Sequence, residues 1–122
     1  MTPPFEQLIV FLRAADLEAT AQFYEQVLCL PLVREQGTCR IYRVGAGGYL
    51  GFCVHLEPME ARGLIATLVT QDVDGWYQHL LAQGVTIVSP PAYNPKYAIY
   101  HFFFRDPDGY LLEIQRFDTP LD

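Results

Sequence analysis

Near its C-terminus the chain contains the stretch Arg105-Asp106-Pro107-Asp108-Gly109-Tyr110-Leu111-Leu112-Glu113-Ile114. It predicts the tip of a β-hairpin, because Pro107 fixes φ at the first central turn position and Gly109 tolerates the left-handed conformation at the exit. Tyr97–Phe104 before the turn and Tyr110–Phe117 after it are rich in aromatic and other strand-favouring residues. The stretch therefore joins two antiparallel strands.

Glu113 is the only carboxylate in the second of these strands. A charge inside an apolar strand must be paired, bound to a ligand or in contact with water. Two interpretations stay open: a carboxylate that meets a ligand or acts as a base, or an ion pair with Arg40 or with an imidazolium at His101.

Composition limits the class of protein. The chain has 122 residues, of which 51% are hydrophobic, so it can form one domain or two small modules that share a core. The net charge of −6 and the single lysine, Lys96, argue against nucleic-acid and membrane-surface partners. The N-terminal residues MTPPFEQ lack the features of a signal peptide, so we expect a cytoplasmic protein.

The chain has three cysteines, Cys29, Cys39 and Cys53, whose spacing does not suggest a ligand set. We expect them to be reduced, buried and hydrophobic in character.

The predicted elements follow the order βαβββ twice. Module one spans residues 6–55, a polar linker spans 56–63 and module two spans 64–117. Ile9 corresponds to Ile65 at a separation of 56 residues, and Phe52 corresponds to Glu113 at a separation of 61. The difference is assigned to a longer, proline-rich loop at 89–96 in module two. A repeat of this length is a stronger indication of fold than one motif.

The motif Phe-x-Arg-Asp-Pro-Asp-Gly-x-x-Leu-Glu at 103–113, together with the repeat, resembles the vicinal oxygen chelate family. That family includes glyoxalases, bleomycin- and fosfomycin-resistance proteins and extradiol dioxygenases. The resemblance covers about residues 6–117. It implies a single α+β domain, 1–122, in which two βαβββ modules form an open, curled eight-stranded sheet around a cleft. It also implies a homodimer.

Strand alternation predicts which side chains face the cleft. The register in which Phe103 lies opposite Glu113 brings His101 to the same face, whereas the other register points His101 at the helix. With the first register, the predicted ligand-binding residues are Arg40, Tyr42, Phe52, Thr67, Tyr97, His101, Phe103 and Glu113. Aromatic walls with a few convergent polar groups suit a small organic molecule.

The resemblance also implies positions for a divalent metal. They correspond to Ile9, Phe52, Ile65 and Glu113, of which only Glu113 carries a ligand atom. We therefore expect neither a metal nor another cofactor. A divalent ion held by His101 and Glu113 is a minor alternative with two protein ligands.

The leading functional prediction is metal-independent binding or sequestration of a small aromatic or anionic organic molecule. The alternative is a lyase, isomerase or dioxygenase-like enzyme whose candidate catalytic residues are His101 and Glu113. A ligand-sensing or interaction module is a third possibility. The sequence alone does not decide whether the protein is an enzyme.

Overall fold

The computed structural model of the chain describes residues 1–58 and 60–121. The chain divides into two compact units, Met1–Glu60 and Ala61–Asp122. Each unit has the element order βαβββ, so the α+β fold with two such modules is confirmed. No helix among the described residues has both the length and the apolar character needed to cross a membrane.

The first unit contains one four-stranded mixed sheet. Its elements are β1 (Leu8–Arg13), α1 (Leu17–Ala21), a π-helical segment (Gln22–Val27), β2 (Leu32–Glu35), β3 (Cys39–Gly45) and β4 (Gly48–Cys53). The strand order is β1-β4-β3-β2, with β1 parallel to β4 and the other pairs antiparallel. Asp16 caps α1, because its carboxylate accepts a hydrogen bond from the Glu18 amide at 2.9 Å.

The second unit repeats this plan. Its elements are β5 (Ala66–Val69), α2 (Val73–Ala82), β6 (Thr86–Asn94), β7 (Ile99–Arg105) and β8 (Leu111–Phe117), with strand order β5-β8-β7-β6. Asp72 caps α2 by accepting a hydrogen bond from the Gly75 amide at 3.0 Å. The helix therefore begins directly after Asp72.

The prediction of a loop at residues 89–96 is wrong for most of that range, because strand β6 continues to Asn94. Prolines do not end this strand because β6 lies at the edge of its sheet. Its pairing with β7 also shifts register on both sides of Ser89, and such irregularities accommodate a residue without an amide donor.

The turn at 105–110 forms as predicted. The Asp106 carboxylate accepts hydrogen bonds from the amides of Asp108 and Tyr110, both at 2.9 Å, and Gly109 has φ +87°. Phe103 lies opposite Glu113 in the β7–β8 pair. The register that brings His101 to the face of Glu113 is therefore confirmed.

The core of each unit packs the helical segment against one face of the sheet. In the first unit, the Tyr24 ring lies 4.3 Å from the Phe52 ring, and neither side chain is exposed. In the second unit, Tyr77 of α2 contacts the fully buried Phe102 edge to face. Burial of such aromatic side chains is the main source of stability in a domain of this size.

The prediction of three reduced, buried cysteines is wrong in two respects. Cys39 and Cys53 are buried, but they form a disulfide. Cys29 is exposed. The β3–β4 pairing places Cys39 directly opposite Cys53, a proximity that depends on strand register and cannot be read from their spacing.

Candidate functional site

A polar cluster surrounds Glu113 on the sheet face of the second unit that points away from α2. His101 Nδ1 lies 2.5 Å from one Glu113 carboxylate oxygen. The other oxygen accepts hydrogen bonds from the Thr67 hydroxyl at 2.8 Å and the Gln115 amide at 3.3 Å. The His101 and Glu113 side chains are 17% and 8% exposed, so most of this network is shielded from water.

The sequence left two interpretations of Glu113 open. The structure shows the second one, in which Glu113 pairs with His101. Both carboxylate oxygens are used within the unit, so Glu113 mainly orients the imidazole ring. Since Nδ1 faces the carboxylate, Nε2 is the nitrogen left to meet another molecule. The Phe103 ring stands edge to face against the imidazole, with 5.2 Å between ring centroids. Thr67, His101, Phe103 and Glu113 thus lie together, and their ligand contacts stay a prediction.

The predicted orientation of Tyr42 and Phe52 is wrong, because both point toward the helical segment. Neither side chain is exposed, and the Tyr42 hydroxyl donates to the Glu25 carboxylate at 2.8 Å. Burial, reinforced by this hydrogen bond, raises the pKa of Tyr42 well above its usual value, so the phenol stays protonated at neutral pH. These two rings belong to the core.

Arg40 is placed differently from the prediction as well. Its guanidinium pairs with Glu18 of α1 at 2.9 Å and with Glu35 of β2 at 2.6 Å. It also donates to the backbone carbonyl of Leu17. Arg40 therefore joins helix to sheet, with its charge already neutralised by two carboxylates.

The cause of these errors is a one-residue slip in the predicted repeat. In the second unit, Glu113 lies beside Thr67 and opposite Phe103. The residue with these neighbours in the first unit is Gly51, beside Phe11 and opposite Ile41. The equivalent of Glu113 is thus Gly51, not Phe52. A register shift between Arg43 and Gly45 in the β3–β4 hairpin makes the difference, and a slip of one residue reverses the face of every side chain.

Tyr97 does not face the predicted site either. It precedes β7, which begins at Ile99, and its side chain is 62% exposed. The Lys96 ammonium lies 5.4 Å from the centre of the Tyr97 ring. The turn before β7 takes up Tyr97, so strand alternation does not apply to it.

The first unit has an open depression, which we call the arginine pocket, on the sheet face opposite its buried core. Its volume is about 480 Å³, within the range of small-molecule sites. It is lined by Gln7, Ile9, Phe11, Val33, Arg34, Gln36, Ile41, Arg43 and Tyr49.

Two cations and several apolar groups meet in the arginine pocket. Neither Arg34 nor Arg43 is paired with a carboxylate within the part of the chain that the structure describes. The Arg43 guanidinium lies 5.8 Å from the centre of the Tyr49 ring, a cation–π distance. Ile9 and Phe11 are 38% and 46% exposed, which is high for large apolar side chains on a sheet.

Gly51 makes room in this pocket. Any side chain at Gly51 would collide with the Phe11 ring, so the missing Cβ lets that ring lie against β4. Of the residues in this pocket, sequence reasoning singled out Ile9, as a metal position, and missed Arg34, Arg43 and Tyr49. The register of the β3–β4 pair would have placed Arg43 and Tyr49 on the pocket face, but the sequence does not specify that register.

The residues at the predicted metal positions do not fit a divalent ion held by four side chains. Around Glu113, both carboxylate oxygens are engaged, and the equivalent position in the first unit is Gly51, which offers no ligand atom. Among the described residues, only Cys39, Cys53 and His55 bring three ligand atoms together, all within 4.8 Å of one another. No step of the family's metal chemistry can therefore be derived for the His101–Glu113 cluster.

Comparison with solved structures shows where this fold occurs. A glyoxalase/bleomycin resistance protein/dioxygenase from Alicyclobacillus acidocaldarius superposes with a TM-score of 0.76 at 18% identity, over 98% of this chain and 96% of that one. Lactoylglutathione lyase from Agrobacterium tumefaciens superposes with a TM-score of 0.75 at 21% identity, over 94% of this chain and 96% of that one. TioX from Micromonospora sp. ML1 superposes with a TM-score of 0.77 at 22% identity, over 90% of this chain and 97% of that one. At these identities the likeness shows the fold alone.

Sequence comparison gives the family. No curated protein matches the chain. The family model described as Glyoxalase/Bleomycin resistance protein/Dioxygenase superfamily matches residues 7–114, which is most of the chain. The motif at 103–113 and the repeated βαβββ order agree with that match. The chain therefore belongs to the glyoxalase/bleomycin resistance protein/dioxygenase superfamily.

Proposed function

We propose that this protein binds a small organic anion with an aromatic body in the arginine pocket, without a metal. The observation that carries the proposal is a pair of guanidinium groups, Arg34 and Arg43, that have no carboxylate partner among the described residues and line the pocket together with the exposed Phe11 and the half-buried Tyr49. Its role would be to sequester the ligand, and the bleomycin resistance proteins in the superfamily's description are compatible with that role.

Charge supports an anionic ligand. The chain carries a net charge of −6, and Arg40 is paired with the carboxylates of Glu18 and Glu35. Arg34 and Arg43 instead line a concave surface, and neither has such a partner within residues 1–58 and 60–121. A carboxylate, phenolate or phosphate can accept paired hydrogen bonds from a guanidinium, which are about twice as strong as neutral ones.

Shape and polarity support an aromatic body. Ile9, Phe11 and Ile41 give the pocket an apolar floor, and the Tyr49 ring stands beside it. Gln7 donates a hydrogen bond to the Tyr49 hydroxyl at 3.1 Å, which fixes the ring's outer edge. An aromatic ligand would cover the exposed apolar area and stack on these rings.

The proposal predicts that 2-naphthoate binds and that its neutral analogue 2-naphthalenemethanol binds much more weakly, as measured by isothermal titration calorimetry. Arg34→Gln and Arg43→Gln should each weaken binding by about tenfold or more, since each removes one charged hydrogen bond. Arg40→Gln is the matched control, because Arg40 lies outside the pocket, and it should leave the affinity unchanged. Phenyl phosphate and 4-nitrophenolate complete the panel.

Two results would contradict the proposal. One is the absence of binding by every anion in this panel. The other is an affinity for 2-naphthoate that falls with Arg40→Gln and not with Arg43→Gln. That result would mean that the ligand binds beside Arg40, as predicted from the sequence.

A second candidate function is favoured by the 2.5 Å contact between His101 and Glu113. We propose it as the alternative: a lyase or isomerase reaction in which the imidazole, oriented by Glu113, takes a proton from a carbon next to a carbonyl. The geometry is compatible because Nδ1 faces the carboxylate and leaves Nε2 for the substrate.

This alternative predicts exchange of carbon-bound hydrogen with solvent deuterium in pyruvate, dihydroxyacetone or methylglyoxal, followed by NMR. Removal of the base in His101→Gln should slow the exchange by about 10²–10⁴-fold, whereas His79→Gln, on α2, should not. Exchange no faster than in buffer would eliminate the alternative for these substrates and leave binding as the better account.

The expected homodimer and the cytoplasmic location stay predictions. β1 is an edge strand and exposes Leu8 and Val10, at 66% and 36%, beside backbone groups that a second chain could pair with. This exposure supports the proposal that two copies of the chain associate.

A further inference from the structure

Cys39, Cys53 and His55 form a compact group at the end of the β3–β4 pair, outside the lining of the arginine pocket. We propose that reduction of the Cys39–Cys53 disulfide converts this group into a binding site for zinc or a similar thiophilic metal ion. Metal binding would then depend on the thiol redox state. This site is separate from the proposed ligand site and from the metal positions that the family resemblance implies.

Distances within the group suit a tetrahedral ion. Cys39 Sγ lies 3.8 Å from His55 Nδ1, and the three ligand atoms lie within 4.8 Å of one another. With bonds of about 2.3 Å to sulfur and about 2.0 Å to nitrogen, a tetrahedral zinc ion separates sulfur from nitrogen by about 3.5 Å. The imidazole thus already stands near a ligand position.

The two sulfurs must move apart for the ion to enter. Tetrahedral geometry requires about 3.8 Å between them. Cys39 and Cys53 are directly opposite each other on paired strands, with 4.1 Å between their Cα atoms. Each sulfur lies one bond beyond its Cβ atom, so rotation about χ1 moves the two sulfurs apart. Rotation of the side chains can therefore reach the required separation without a change in strand register.

The backbone holds the third ligand close by. The Val54 amide donates to the Thr38 carbonyl at 3.0 Å, which continues the β3–β4 ladder up to the residue before His55. Cys39 and Cys53 are buried, whereas His55 is exposed. The ion would be covered on its thiolate side and would keep a fourth position for water, as in three-ligand zinc sites.

The chemistry balances in two steps. A dithiol reductant gives two electrons and two protons to the Cys39–Cys53 bond, which becomes two thiols while the reductant becomes a disulfide. The ion then displaces both thiol protons to solvent and binds two thiolates and the neutral imidazole of His55. Two thiolates cancel the charge of a divalent ion, so little net charge is buried beside the strands.

Cobalt titration of the full chain tests this proposal. Cys29→Ser serves as the background, because it removes the exposed thiol that could bind metal by itself. After reduction with a phosphine and removal of metal, we expect one equivalent of Co²⁺ to bind with a thiolate-to-cobalt absorption band in the near ultraviolet. The oxidised protein should show no band, and zinc should displace the cobalt.

Variants identify the ligands. His55→Gln should weaken cobalt binding by about tenfold or more, whereas the matched control His79→Gln should not change it. Because His55 is exposed, its replacement is compatible with folding, which circular dichroism can verify; Cys39→Ser, also in the Cys29→Ser background, should remove the disulfide and half of the thiolate absorption. The proposal is overturned if the reduced background protein binds neither cobalt nor zinc, or if His55→Gln binds cobalt as tightly as the His79→Gln control.

Discussion

Phe52→Ala should lower the free energy of unfolding by about 3–5 kcal/mol, the usual cost of removing a fully buried aromatic ring. Phe52 is unexposed and its ring lies 4.3 Å from Tyr24 and 6.1 Å from Tyr42. The cavity left by the ring would lie between the helical segment and β4, where the backbone on both sides is fixed by its own hydrogen bonds. The effect is large because the site cannot collapse without moving one of them.

Phe11→Ala is the matched control, since Phe11 lies one strand away on the opposite face and is 46% exposed. It should lower stability by only about 1 kcal/mol but weaken binding of 2-naphthoate, because it lines the arginine pocket. Urea unfolding and calorimetry measure both quantities. If Phe52→Ala instead spared stability and reduced ligand affinity, Phe52 would face the ligand and the corrected register would be wrong.

Reduction of the Cys39–Cys53 disulfide should lower the free energy of unfolding by about 3 kcal/mol, the loop-closure value for about 15 residues. The two cysteines are separated by 14 positions in the sequence. The cross-link restricts the unfolded chain, so its loss favours unfolding even where the folded strands keep their ladder.

Urea unfolding with and without a phosphine, in the presence of a chelator, measures this effect in the Cys29→Ser background. The double variant Cys39→Ala/Cys53→Ala in that background should not respond to the reductant. Zinc added to the reduced protein should restore part of the loss, because binding to the folded state alone stabilises it. A midpoint that does not change on reduction would show that the disulfide does not restrict the unfolded chain as described.

Much of the fold could be predicted because its signals are local. The turn at 105–110 depends on Pro107 and Gly109, whose backbone preferences act at their own positions, and the helix caps depend on Asp16 and Asp72. The pair of His101 and Glu113 could be predicted from the same turn, since its length sets the register of the two strands that it joins.

The pocket could not be predicted because it depends on a register that no local signal specifies. The turn Gly45-Ala46-Gly47-Gly48 allows more than one hairpin geometry, and one residue decides whether Phe52 or Gly51 corresponds to Glu113. The same residue decides whether Arg40 or Arg43 lies on the sheet face that carries the arginine pocket. The disulfide was missed for a related reason, because Cys39 and Cys53 become neighbours only through the pairing of β3 with β4.

Titration of the isotope-labelled protein with 2-naphthoate, followed by heteronuclear NMR, tests whether the arginine pocket binds the ligand. Binding in the arginine pocket predicts shifts concentrated in β1, β2, β3 and β4, with the Arg34 and Arg43 side-chain Nε–Hε signals among the largest. Shifts centred on His101 and Glu113, with the first unit unchanged, would contradict binding in this pocket and assign ligand binding to the second unit.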